Sequence, residues 1–197
     1  MTGPNAPYAL ADSVERDSRT SRLHETHVAT LTDMVIKMRK EKRPDYFIPN
    51  FDPCDGGINS RVLILMEAPG PKAMASGFVS RNNPDPTASN LCKILHEAQI
   101  PRRDTVIWNV VPWYLGDGKH IHAAKPKDLA EARADLEALF NLLNVEAVVL
   151  LGKKAQAAYA SFKTDNFVVH RTHHPSAQVL NIRPHRRDEI LNTFRKI

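Results

Sequence analysis

Three short stretches hold side chains whose types and placement suit chemistry. Glu67-Ala68-Pro69-Gly70-Pro71 follows the apolar run Val62-Leu63-Ile64-Leu65. Pro69 fixes one φ, Gly70 permits an unusual one and Pro71 removes a donor, so the turn is stiff enough to aim backbone N–H groups at a ligand oxygen. The Glu67 carboxylate stands where a buried strand becomes a pocket wall, a position from which it orients a water. Asn109 lies inside the apolar stretch Val106–Val111. Its amide offers both a donor and an acceptor, matching the edge of a pyrimidine. Buried without a partner it costs on the order of a few kcal/mol. Taken alone, a bond to the protein's own backbone is the first expectation for it, and a ligand at the strand's end the second. His174 opens His174-Pro175-Ser176 after Phe167-Val168-Val169. An imidazole there donates to a developing oxyanion, and the Ser176 hydroxyl suits a phosphate. Phe78, an aromatic in a polar loop, fits a base-stacking platform and a core anchor equally.

These residues need elements to hold them. Arg61–Met66, Thr105–Val111, Ala147–Leu151 and Phe167–Arg171 read as strands, apolar enough at their centres to be buried on both faces. Helices are expected at 21–42, at 88–99 behind a Thr87 cap, at 127–144, at 153–162 and at 184–196. Pro44 should stop the first of them. Residues 114–125 read as a mobile loop. Strands alternating with helices imply a parallel sheet, and in such a sheet strand-end turns gather at one edge, where ligands bind. The expected fold is therefore a single-domain, three-layer α/β/α unit over residues 21–197 with a central, mainly parallel four-stranded sheet. Residues 1–20, polar and without a signal-peptide core, are expected to be a flexible tail.

Composition narrows the function classes. The 197 residues are 42% hydrophobic and 25% charged, ordinary for a soluble domain. No apolar run reaches membrane-spanning length. Cys54 and Cys92 are too few for a four-cysteine zinc or iron–sulfur site, and two inert thiols are expected. The net charge of +5 is concentrated in residues 151–197, which hold nine Lys/Arg against three Asp/Glu. That excess surrounds the His-Pro-Ser turn and suits a polyanion such as DNA, although a solvated basic helix would read the same way. Five histidines fall in two clusters (His120 and His122; His170, His173 and His174), but only Asp117 is a nearby carboxylate, so no metal is assigned.

The order Glu67-Ala68-Pro69-Gly70, Phe78, Asn109, His174-Pro175-Ser176 resembles the uracil-DNA glycosylase superfamily over residues 61 to about 180, and is closest to its thermostable branch. The resemblance implies excision of a base flipped out of DNA. Ala68, Pro69 and Gly70 would then line the base pocket and Phe78 would stack on the base. Asn109 would read the base edge, His174 would donate to the base O2, and a water held by the Glu67–Pro69 turn would attack the sugar. Ser176, Ala177, Gln178 and Val179, with Lys72 and Arg171, would meet the DNA. No metal or organic cofactor is implied. The implied partner is DNA bearing uracil or other deaminated bases, acted on by a monomer in the cytoplasm or nucleoid of a bacterium, or in the nucleus or an organelle of a eukaryote.

Three departures qualify that picture. The thermostable branch holds an iron–sulfur cluster on four cysteines, absent here, so packing, with the N-terminal helix, must substitute. The most active branch has Asp where Ala68 stands, which leaves water activation to Glu67 or to backbone groups. It also has a Tyr, blocking a C5-methyl, where Gly70 stands, so a base range broader than uracil is expected. Alternatives are a glycosylase for hypoxanthine and other deaminated purines, a catalytically weak relative that binds uracil or abasic sites, and a metal-dependent hydrolase. A histidine of Lys119-His120-Ile121-His122 near the pocket would be placed to contact or attack the abasic sugar, although a plain surface-loop residue is the first expectation there.

Overall fold

The computed structural model describes residues 3–41, 46–117, 120–160 and 167–197. In chain order the elements are α1 (Ser13–Ser21), α2 (Ala29–Glu41), β1 (Asn50–Phe51), β2 (Val62–Met66), α3 (Pro71–Ser76), β3 (Phe78–Val79) and α4 (Pro86–Glu97). There follow β4 (Thr105–Asn109), α5 (Pro126–Leu142), β5 (Ala147–Leu151), α6 (Lys153–Tyr159), β6 (Val168–Thr172), α7 (Ala177–Ile182) and α8 (His185–Phe194). Four strands form one parallel sheet in the order β4-β2-β5-β6, with Leu65 opposite both Trp108 and Leu150. The central residues Val62–Leu65 and Val148–Leu150 are 0% exposed, as apolar strands covered by helices on both faces must be. Helix α2 packs on α5, whereas α4 packs with α7 and α8. One apolar cluster runs from Val28 to Phe194. Trp108 stacks on Phe51 at 3.7 Å between centroids and Trp113 on Tyr46 at 4.9 Å, so both tryptophans serve packing.

Local chemistry sets the helix boundaries. Asp85, rather than Thr87, caps α4: its Oδ1 accepts from the Ala88 N–H at 2.9 Å, and Pro86 fills a first position that needs no donor. Asp128 accepts the Lys125 N–H at 2.8 Å to open α5 behind Pro126. The helix expected at 21–42 begins only at Ala29, because 22–28 are turns tied down by the Ile58 N–H donating to the His27 carbonyl at 2.8 Å. Pro44 and the end of the helix expected at 153–162 lie outside the described residues.

The N-terminal stretch departs most from expectation. Residues 13–20, expected inside a flexible tail, form α1 together with Ser21, capped by Asp12. Arg19 is 0% exposed. Its guanidinium donates to Asp52, and to Glu15 at 3.0 Å, Asn82 at 3.2 Å and the Pro4 carbonyl at 2.7 Å. Leu10 and Leu23 pack on Phe78. A segment anchored by one buried arginine gives no apolar stripe to read. Arg19→Ala removes one of the two guanidinium groups that meet the buried Asp52 carboxylate, with its bonds to Glu15, Asn82 and Pro4, and is expected to cost about 2–4 kcal/mol. Urea unfolding followed by circular dichroism checks this, with the exposed Lys37→Ala as a variant whose midpoint should not move.

Candidate active site

In a parallel sheet every strand delivers its carboxyl end to the same edge, and the chain leaves there in loops that form a crevice. Here that crevice is a cavity of about 740 Å3. All four strands of the sheet feed it: Met66 and Glu67 from β2, Ile107 and Asn109 from β4, Leu151 and Gly152 from β5, and His173 and His174 from β6.

The first turn is locked in place because the Val110 and Val111 N–H groups donate to the Met66 and Glu67 carbonyls, both at 2.9 Å. Gly70 then caps α3, with Pro71 at its first position. Ala68, Pro69, Gly70 and Lys72 all line the cavity. The Glu67 carboxylate has two partners. Its Oε1 accepts the Ala124 N–H at 2.9 Å, and its Oε2 lies 3.5 Å from Lys154 Nζ.

Asn109 ends β4, 1% exposed, opposite Met66. Neither its Oδ1 nor its Nδ2 has a hydrogen-bond partner among the described residues. The expectation that it bonds its own backbone is therefore corrected. A buried amide left so costs about 1–3 kcal/mol per unsatisfied group, a cost that a ligand in the cavity can remove.

His174 follows β6 and is half-buried against Gly152. That glycine has φ 88°, and a Cβ on it would lie 2.8 Å from the His174 Cβ. Burial pushes the His174 imidazole below its ordinary range; Glu67 pulls it up and Lys154 pushes it down again. It is thus held neutral at neutral pH, with one N–H to donate.

Phe78 is not in the cavity. Successive strand residues face opposite sides. In β3 this sends Phe78, 1% exposed, into the cluster with Leu10 and Leu23, while Val79 lines the cavity. Of its two expected uses, the structure places it as the anchor. Ser176, Gln178 and Val179 line the cavity, but Ala177 does not, and Arg171 is exposed on the edge strand β6. The Ser176 Oγ caps α7 by accepting the Val179 N–H at 3.3 Å.

Sequence reasoning missed Lys153, Lys154 and Arg186, which bring positive charge to the cavity, and Ser80 and Asn83 on its wall. Gly152-Lys153-Lys154 does carry the signal that found the other turns, a polar step at the end of a buried strand. The histidine clusters do not converge. His120 and His122 face Asp117 at 3.6 and 3.8 Å on an exposed loop, and His173 meets Glu189 at 2.6 Å. Among the described residues no group of three or more His, Cys, Asp or Glu is placed to hold a metal, and no helix is long and apolar enough to cross a membrane.

A family model described as the uracil DNA glycosylase superfamily matches residues 53–195. No curated protein matches the sequence.

His174 should titrate below the ordinary imidazole value of about 6.5. Glu67→Gln removes the charge that raises it and should move the midpoint further down, whereas Lys154→Met should move it up. Ring-proton NMR across pH 4–8 (roughly the imidazole range) reads all three.

Proposed function

We propose, starting from the fact that the chain belongs to the uracil DNA glycosylase superfamily, that it is a monofunctional glycosylase. It would hydrolyse the N-glycosidic bond of uracil, and of some further modified bases, in DNA, and so open base excision repair. The observation that carries this reading is the Asn109 amide, buried at the cavity wall with both polar atoms unpartnered. A uracil edge offers it an N–H to accept and a carbonyl to receive its own N–H.

The remaining groups fit the steps such a reaction needs. Lys72, Lys153, Lys154 and Arg186 line the cavity from three helices and suit the phosphates of the bound strand. A nucleotide swung out of the stack enters between them. As the bond from the sugar to N1 lengthens, electrons move onto the base, and the neutral His174 N–H donates to the O2 that gathers the charge. The sugar becomes oxocarbenium-like. A water held at the Glu67–Pro69 turn adds its oxygen to C1′ and gives up a proton to solvent, while the base leaves as an anion and takes a proton from solvent, so base and abasic sugar separate. The mechanism draws on no metal or organic cofactor.

Base range follows from what is missing. A Cβ on Gly70 would meet nothing within 4 Å, so the cavity leaves space beside the turn. Its volume also exceeds what a pyrimidine fills, which keeps hypoxanthine as the second reading.

With EDTA present, the protein is expected to produce alkali-labile sites in end-labelled oligonucleotides at uracil, and at C5-substituted uracils as well. His174→Ala and Asn109→Ala should each lower the single-turnover rate by about a hundredfold or more. Cleavage at uracil alone would overturn the broad range. Folded protein that cleaves at no base would overturn the glycosylase and favour a DNA-binding relative.

A further inference from the structure

With Phe78 turned into the core, no Phe, Tyr or Trp side chain lines the cavity among the described residues. Its apolar walls come from small and aliphatic groups such as Pro69, Val79, Leu91, Ile107 and Leu151. One further apolar group stands apart from these. Ile121 also lines the cavity, yet it is 59% exposed. Single exposed apolar side chains are common on protein surfaces and need no explanation by themselves. Among the described residues six other large apolar side chains are exposed (Tyr8, Val14, Ile36, Phe47, Val168 and Ile182), and none of these six lines the cavity.

The fold holds Ile121 in that position. Gly116 and Ile121 form an antiparallel bridge. The His122 N–H donates to the Leu115 carbonyl at 2.7 Å, and Asp117 Oδ1 accepts the His120 N–H at 2.7 Å. At the hairpin's far end the Ala124 N–H donates to Glu67 Oε1. Leu115 and Ala124 pack on the main core, so both feet of the hairpin are anchored. The carboxylate at the catalytic turn is therefore the side chain that ties down the segment carrying the exposed isoleucine. His120 and His122 do not line the cavity.

We propose that Ile121 is a substrate-contacting residue that closes the rim of the cavity over the bound nucleotide, and that Glu67 is the positioning residue that holds it there. An aliphatic side chain laid on a base face removes apolar area from water and excludes solvent from the bond being broken. The Glu67 carboxylate, with one oxygen on Ala124 and the other toward Lys154, acts through the hairpin, and the water rests on the turn's backbone. The inference takes the base-excision reading as its ground, and its test is built to separate the two.

Four proteins are compared: the wild type, Ile121→Ala, Glu67→Gln and Glu67→Ala. Each is titrated by fluorescence anisotropy with an oligonucleotide bearing 2′-fluoro-deoxyuridine, whose glycosidic bond resists cleavage, and assayed for single-turnover cleavage of the uracil oligonucleotide. Ile121→Ala should bind about tenfold more weakly. Glu67→Gln keeps an oxygen for the Ala124 N–H, so it should bind the analogue like the wild type. Glu67→Ala should reproduce the Ile121→Ala binding defect. Unchanged binding in Ile121→Ala would overturn the contact. A Glu67→Gln protein that binds the analogue as weakly as Glu67→Ala would overturn the positioning role. A wild type that binds the analogue but cleaves no uracil would sink the excision reading, while the binding series still decides the role of Ile121 and of Glu67 as its anchor.

Discussion

Asp52 is the point on which the packing of the irregular half of this molecule depends. Its side chain is 0% exposed, and four donors from four stretches of chain meet on its two oxygens. Oδ2 accepts from Arg19, from Ser80, and from Arg102 at 2.6 Å, while Oδ1 accepts the Cys54 N–H at 2.9 Å. Burial alone would push this carboxyl up, but Arg102 and Arg19 hold it below the usual range and therefore charged. Arg102 extends the network to Asp55 and Asn82, and Arg81 adds a link to Thr105 at the start of β4. A buried carboxylate with all its donors in place is tolerable, whereas with one removed it is costly. The N-terminal segment, the 52–55 turn and the 80–83 loop are thereby bound to one another as a unit. The two cysteines, Cys54 and Cys92, are not joined in a disulfide, and burial pushes both thiols up.

That unit bears on the cavity through one short piece of chain. Ser80 and Asn83 sit on the cavity wall, while Arg81 and Asn82 between them face the ionic cluster. Asn83 is held in turn by Ser76 Oγ at 2.6 Å and by the Phe78 carbonyl at 2.9 Å. The wall that meets the ligand is thus the reverse side of the scaffold's ionic core. Such a support keeps a site in shape before the substrate arrives, which is the condition for electrostatic stabilisation to act without reorganisation.

The sheet was the most legible part of the sequence, for a physical reason. Val62–Leu65 and Ala147–Leu151 are unbroken apolar runs, and only a strand buried on both faces is written that way. Asn109 and His174 were legible because a polar residue at the end of such a run stands out. What stayed hidden depends on sequence-distant partners. Helix α1 is polar along its length, and its buried residue is an arginine, which reads as surface until Asp52 is placed beside it. The two-residue strands β1 and β3 exist only because they pair with each other. Phe78 could be recognised by type, but which way it faces is set by the Asn50 register and by the Leu10–Leu23 cover. The fit of Lys154 to Glu67 requires knowing that β5 lies beside β2.

The contact between Gly152 and His174 means that the imidazole is positioned by an atom that is not there. Its place comes from the close approach of the His174 Cβ to a backbone that carries no side chain and is turned to a positive φ. Scaffold and chemistry are consequently separable at one position. An alanine there would add no charge and remove no hydrogen-bonding side chain, and its backbone strain, about 1–3 kcal/mol, is small beside the stability of a folded domain. The molecule therefore has, one carbon away, a form with its ionic core, sheet and basic cavity mouth intact and the His174 imidazole displaced.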